Sequence, residues 1–153
     1  TLKSTVAYVK NLKKGADISY GRTFTAPKDM KIATVPIGYA DGFIRQNAKD
    51  GYMLVNGKKA KIVGRICMDP VSYTHLTLPT NRDQTMIDVT DIEDVKIGDE
   101  VVIFGTGENG EMTADDLAKN TDTINYEVVC LVGKRVPRIY IKNGKVMDVM
   151  YKL

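Results

Sequence analysis

Tyr52-Met53-Leu54-Val55-Asn56-Gly57-Lys58-Lys59-Ala60-Lys61-Ile62-Val63 reads as two short apolar runs joined by an asparagine and a glycine. This is the strongest short-range signal for a β-hairpin, because a type I′ turn needs positive φ at both central residues. The device recurs at Asn143-Gly144, between Arg138-Ile139-Tyr140-Ile141 and Val146-Met147-Asp148-Val149. Outward from these hairpins the chain keeps to short strands. Thr5-Val6-Ala7-Tyr8-Val9 alternates, Lys14-Gly15 breaks the pattern, and Ile18-Ser19-Tyr20 resumes it. Lys31-Ile32-Ala33-Thr34-Val35 ends at Pro36, which cannot donate to a central ladder. Met86-Ile87-Asp88-Val89 and Val101-Val102-Ile103-Phe104 complete the set. Short strands at such spacing predict an all-β domain, mainly a Greek-key-like barrel, with one or two short helices.

Helix signals are confined to one region. Thr113 followed three residues later by Asp116 has the form of a capping box opening a short helix through Leu117 and Ala118. A second helix is expected from about Thr123 to Leu131, with Ile124, Val128 and Leu131 on one face and Gly133 as its stop.

The 153 residues are enough for one domain with a core and too few for a typical two-domain enzyme. An apolar fraction of 43% with 27% charged residues suits a globular chain, and no apolar run approaches the roughly 20 residues of a spanning helix. The opening residues lack the basic stretch and apolar core of a secretory signal and read as a chain entered mid-strand. The net charge of +3 is weak and its basic residues are dispersed, which argues against nucleic acid. Cys67 and Cys130 stand apart with no metal-like spacing, as expected of reduced cytosolic thiols rather than a zinc site.

Gly105-Thr106-Gly107-Glu108-Asn109-Gly110 matches G-x-G-x-x-G after a strand, but the capped helix begins only after the motif and no βαβ unit surrounds it. A glycine-rich surface turn is the better reading. Asp88, Asp91, Glu93, Asp94, Asp99 and Glu100 lack the spacing of an EF-hand and read as a solvated connection. Residues 70–83, with two prolines and many threonines, break the strand pattern and look inserted. His75, the single histidine, falls inside them and is read as an exposed loop residue.

Tyr20 stands out because Gly21 follows it, which lets a ligand or another backbone approach closely. Packing at a barrel rim accounts for it equally well. A phenol with an ordinary pKa near 10 acts as a base near neutrality only where a cation or dipole favours the phenolate.

Five segments together carry a resemblance. Ser19-Tyr20-Gly21-Arg22-Thr23-Phe24, Val35-Pro36-Ile37-Gly38-Tyr39-Ala40-Asp41-Gly42 and Val63-Gly64-Arg65-Ile66-Cys67-Met68-Asp69 come first. Thr123-Ile124-Asn125-Tyr126-Glu127 and Arg135-Val136-Pro137-Arg138 follow. This succession is similar to that of bacterial PLP-dependent alanine racemases, in their carboxy-terminal β-domain, and covers nearly the whole chain outside residues 70–83. The resemblance implies that Tyr20 is one of two bases flanking the substrate Cα, offered to the active site of a partner subunit. The other base is the PLP-binding lysine of an amino-terminal (β/α)8 barrel, absent from these residues.

Within the same resemblance, Tyr39 corresponds to a tyrosine at the site entrance. Met68 would turn its backbone N–H toward the substrate carboxylate, with Asp69 its neighbour at the entrance. Tyr126 would donate to the PLP phosphate. The implied enzyme is a cytoplasmic homodimer interconverting L- and D-alanine for peptidoglycan precursors, and residues 1–153 alone are expected to be inactive. The family runs from the Met-Asp pair straight into a pattern like Gln84-Thr85-Met86-Ile87-Asp88, so residues 70–83 form an atypical insertion. Part of it looks like a translated sequencing-adapter read, and either Asp69 or Asp83 could be the native aspartate. Serine racemase is the nearest enzymatic alternative, and a non-enzymatic β-barrel binding module the alternative outside catalysis.

Overall fold

The computed structural model describes residues 1–19, 21–67 and 84–151. Twelve strands are present among them: β1 (Leu2–Thr5), β2 (Tyr8–Leu12), β3 (Asp17–Ile18), β4 (Phe24–Thr25), β5 (Met30–Val35) and β6 (Tyr52–Val55) come first. They are followed by β7 (Lys58–Val63), β8 (Thr85–Asp88), β9 (Glu100–Thr106), β10 (Glu111–Met112), β11 (Arg138–Lys142) and β12 (Lys145–Met150). Two helices, α1 (Ala114–Thr121) and α2 (Asn125–Cys130), lie between β10 and β11.

The main sheet runs β1-β9-β6-β7-β8-β5-β2, with β10 attached to β9, and every described pairing is antiparallel. β6, β7 and β8 are neighbours in order and β9 returns to lie beside β6, which is the Greek-key arrangement the sequence led us to expect. The two ends of this path, β1 and β2, are consecutive in the chain, separated only by Val6 and Ala7. Val6 N–H donates to the Asp99 carbonyl and Ala7 N–H to the Thr34 carbonyl, so adjacent residues join opposite ends of a curled sheet. The single strand expected over Thr5-Val9 is therefore two. Val6 is buried while Ala7 and Tyr8 are both exposed, so the alternation of burial breaks at the switch, a change the residue types do not mark.

Both Asn-Gly hairpins form as expected. Asn56 and Gly57 have φ of 51° and 75°, Asn143 and Gly144 of 50° and 73°, and the flanking strands pair as β6–β7 and β11–β12. The hairpins differ in what they cover. β6 and β7 contribute Met53, Leu54, Val55, Ala60, Ile62 and Val63 to the core, while β11–β12 exposes Ile139, Ile141, Val146 and Met147.

The larger core is built from strand interiors, with Val35, Val55, Ile87, Val101 and Ile103 fully buried. A smaller cluster of Leu12, Ile18, Ala26, Met30, Ile32 and Val63 supports the short β3–β4 hairpin. Residues 105–110 form a turn closed by Gly107 N–H to the Gly110 carbonyl, and β10 then pairs back onto β9. The G-x-G-x-x-G match is thus a β-turn device.

The second helix is shorter than expected and packs less. Of the face proposed for it, Val128 is buried, but Ile124 and Leu131 are 64% and 39% exposed. Gly133 does not stop it, since the cap is Leu131 in right-handed conformation. The glycine serves proximity instead, because a Cβ there would sit 2.8 Å from the Ala40 carbonyl oxygen.

α1 begins as expected. Thr113 Oγ1 accepts from Asp116 N–H at 3.1 Å, and Asp116 Oδ2 accepts from Thr113 N–H at 2.9 Å and its hydroxyl at 2.7 Å. The Thr113 hydroxyl, then its N–H, hold the Asp116 carboxyl below the usual carboxylate range. A depressed folded pKa gives stabilisation that is complete above the unfolded value of about 3.9 and is lost as pH falls through the folded one. Thr113→Ala is expected to cost about 1 kcal/mol at pH 7. In urea melts the gap between variant and parent should narrow below pH 4, where the carboxylate half of the box is lost; a gap independent of pH would refute that coupling.

Candidate functional site

The structure brings four of the five segments together at two places, while residues 123–127 lie at the start of α2. At the first, the β3–β4 turn meets the exit of β7. Ser19, Gly21 and Arg22 all have positive φ, 75°, 73° and 52°, and Arg22 N–H closes the turn onto the Ser19 carbonyl at 3.0 Å. Two non-glycine residues in the left-handed region within four positions are costly without support from outside the turn. Here Arg65 N–H donates to Ser19 Oγ at 2.7 Å. Beyond Arg65 the chain is anchored by Ile66, 2% exposed in the core, and by Cys67 N–H donating to the Gln84 carbonyl. Tyr20, Met68, Asp69 and residues 70–83, His75 included, lie outside the described residues. Their immediate neighbours Ser19, Gly21 and Cys67 are described.

At the second place the chain after β5 meets the segment after α2. Tyr39–Asp41 forms a 3₁₀ turn ended by Gly42 at φ 100°. A Cβ on Gly42 would lie 2.1 Å from the Leu131 carbonyl oxygen, so the two segments touch through backbone. Asp41 is the junction: Oδ2 accepts from Gly38 N–H at 3.1 Å, Oδ1 from Arg135 Nε at 2.7 Å, and its carbonyl from Gly133 N–H at 2.8 Å. Arg138 braces the other side, its guanidinium donating to the carbonyls of Val132, Gly133 and Val136 at 3.0, 2.7 and 2.8 Å. Thr85, fully buried, donates its hydroxyl to the Ile37 carbonyl at 2.8 Å and ties the start of β8 to the same stretch.

Tyr39 is half-buried on this scaffold, packed against the main core with the Arg45 guanidinium 5.8 Å from its ring centroid. Tyr126, in the first turn of α2, is 77% exposed and borders a depression of about 310 Å³ with Lys119, Thr123 and Asn125. Neither phenol has a hydrogen-bond partner among the described residues, so each is free to donate outward. The bracing residues Ser19, Gly64, Asp41, Arg135 and Arg138 had no role assigned from sequence. All lie within or beside the matching segments, but only contacts between distant segments reveal what they do. Among the described residues no group of histidine, cysteine or acidic side chains could hold a metal, and both cysteines are free.

Comparison with known proteins places the chain in company. The family model for the alanine racemase C-terminal domain matches residues 1–78 and 79–140. Alanine racemase 2 of Caldanaerobacter subterraneus is 50% identical over 147 residues, covering 96% of this chain and 34% of that protein. Alanine racemase 1 of Clostridium acetobutylicum is 45% identical over 149 residues, covering 97% and 35%. Among solved structures, alanine racemase from Bacillus anthracis with bound L-Ala-P superposes with a TM-score of 0.82 at 38% identity, over 97% of this chain and 34% of that one. The cycloserine complex of the Clostridium difficile enzyme gives 0.80 at 40% identity, covering 97% and 35%. The chain spans about a third of the length of these relatives.

Arg138 satisfies three carbonyls with a planar fork that a lysine cannot reproduce. Arg138→Lys is therefore expected to lower stability by about 1–3 kcal/mol through carbonyls left without a donor. An unchanged urea midpoint would show that the brace is dispensable.

Proposed function

Because the chain belongs to the family of alanine racemase C-terminal domains, we propose that it completes the active site of a PLP-dependent alanine racemase. The observation that carries this reading is the meeting of four of the five matching segments at two braced junctions, Ser19 with Arg65 and Asp41 with Arg135. The relatives described above are alanine racemases, which favours alanine over serine and over a non-enzymatic barrel.

In this proposal Tyr20 is the base on one face of the substrate Cα. Racemisation removes a proton from one face and returns one to the other, so a single base would tend to give back what it took. PLP supplies the electron sink that makes the Cα–H acidic enough for either base. The Met68 backbone N–H holds the substrate carboxylate, Tyr39 and Asp69 line the entrance, and the Tyr126 hydroxyl donates to the cofactor phosphate. An exposed phenol beside an open depression fits that last role.

The lysine base belongs to the barrel of the full enzyme, so residues 1–153 alone are proposed to be inactive. The full-length protein is proposed to be a cytoplasmic homodimer whose subunits exchange Tyr20. No helix among the described residues is long and apolar enough to cross a membrane. The apolar side chains exposed on β11–β12 are consistent with a face covered by the rest of such an enzyme. Residues 70–83 are proposed to be an insertion that disturbs the Met68 backbone.

Fusing these 153 residues behind the PLP-binding barrel of a relative tests the whole reading. D-alanine should form from L-alanine, and Tyr20→Phe should lower turnover by about 100-fold or more, as loss of a general base does. Deleting residues 70–83 should raise the rate. A folded fusion that stays silent with and without the deletion, or one indifferent to Tyr20→Phe, would overturn the assignment.

A further inference from the structure

Ser19 combines three features that turn formation alone does not require. It is a non-glycine residue at φ 75°. Its hydroxyl oxygen accepts Arg65 N–H at 2.7 Å across 46 residues of sequence, and Thr23 Oγ1 donates to the same oxygen at 3.4 Å. The space it occupies exists only because residue 64 is glycine: a Cβ there would fall 2.3 Å from Ser19 Cβ and 2.5 Å from Oγ. Gly64 is itself at φ 72°, so β7 ends in a bend that side-chain-bearing residues rarely adopt. The bend presents the Arg65 N–H outward, and Ser19 fills the notch it leaves.

The two partners are each fixed on their far side. Ile18, one residue before Ser19, is buried in the smaller core, while Ile66, one residue after Arg65, is buried in the larger one. The Ser19–Arg65 hydrogen bond therefore lies where the two core clusters meet, Val63 of β7 sharing the smaller one with Ile18, one residue in sequence from Tyr20 and three from Met68. A serine serving only the local turn would bond within residues 19–23.

We infer that Ser19 is a positioning residue. Its hydroxyl, seated in the Gly64 notch, ties the β3–β4 turn to the exit of β7, the two segments of chain that carry the proposed base and the proposed carboxylate-binding residue. This rests on the roles proposed for Tyr20 and Met68. If both groups must contact one small substrate, an error at either junction changes the distance from base to Cα directly, and proton transfer is steeply sensitive to it.

Ser19→Gly is the discriminating variant, since glycine takes positive φ without strain while the hydroxymethyl group and its hydrogen bond are lost. In the full-length enzyme, amide exchange at Arg65 should rise several-fold, up to about tenfold, the worth of one hydrogen bond. With Cα-deuterated alanine, the primary isotope effect on kcat/KM should grow for the enantiomer that Tyr20 deprotonates and not for its mirror image. A general loss of folded enzyme would lower both rates and leave both isotope effects unchanged. Gly64→Ala, which fills the notch but keeps the hydroxyl, should produce the same asymmetry. Unchanged Arg65 exchange, or symmetric isotope effects in an enzyme that Tyr20→Phe inactivates, would overturn the inference. Full activity in Tyr20→Phe would instead overturn the reading on which it rests.

Discussion

The fold depends on how Val6 and Ala7 divide their backbone hydrogen bonds. Val6 exchanges with the 98–99 stretch ahead of β9, through its own N–H and through its carbonyl, which accepts Gly98 N–H, while Ala7 donates to Thr34 on β5. An open antiparallel sheet leaves unpaired donors and acceptors along both edges, which is a standing invitation to mispair. Here both end strands come from one short segment, so curling the sheet brings them together without an added connection. Val6 is 1% exposed, its side chain turned into the interior that the closure creates. Residues 35–42 and 63–67 leave strands β5 and β7 of this curled sheet, and the other described segments of the candidate site lie on the β3–β4 turn, in α2 and before β11.

Two kinds of bracing follow from that arrangement. On the Ser19 side the contact is a single hydroxyl in a notch between two cores. On the Asp41 side it is a charged junction, with Asp41 and Arg138 satisfying backbone groups of irregular stretches and Arg135 pairing with the Asp41 carboxylate. Irregular backbone at a site needs such donors and acceptors, since no ladder supplies them. Half-buried Tyr39 then sits on backbone that is held from behind.

Local chemistry was legible in the sequence and long-range pairing was not. Asn56-Gly57, Asn143-Gly144 and the Thr113–Asp116 box act over a few residues, and each formed where its residue types require. The switch at Val6-Ala7 is silent because residue types do not say which strand each backbone group takes as its partner. The helix around Tyr126 was read too long, its exposed Ile124 and Leu131 being apolar residues at helical spacing that do not face the core. Gly133 looked like a helix stop and is a point of backbone contact with Ala40. At the site, the matching segments named Tyr39 and Tyr126 but could not show that Asp41 meets Arg135 94 residues away, or that Ser19 meets Arg65. Tyr20, Met68 and Asp69 stand on the sequence resemblance, with their described neighbours supplying the physical context.

The position of β1 also sets an order of events during synthesis. Leu2 pairs with Phe104 and Thr5 with Glu100, so the first strand to leave the ribosome in this stretch has no partner until about a hundred residues later. The hairpin β6–β7 can form at once, and β2–β5 soon after β5 emerges, but the sheet cannot close before β9 is made. Until then the nascent chain holds an unpaired edge, and the slow, non-local step of folding falls at the joint that later holds the finished sheet together.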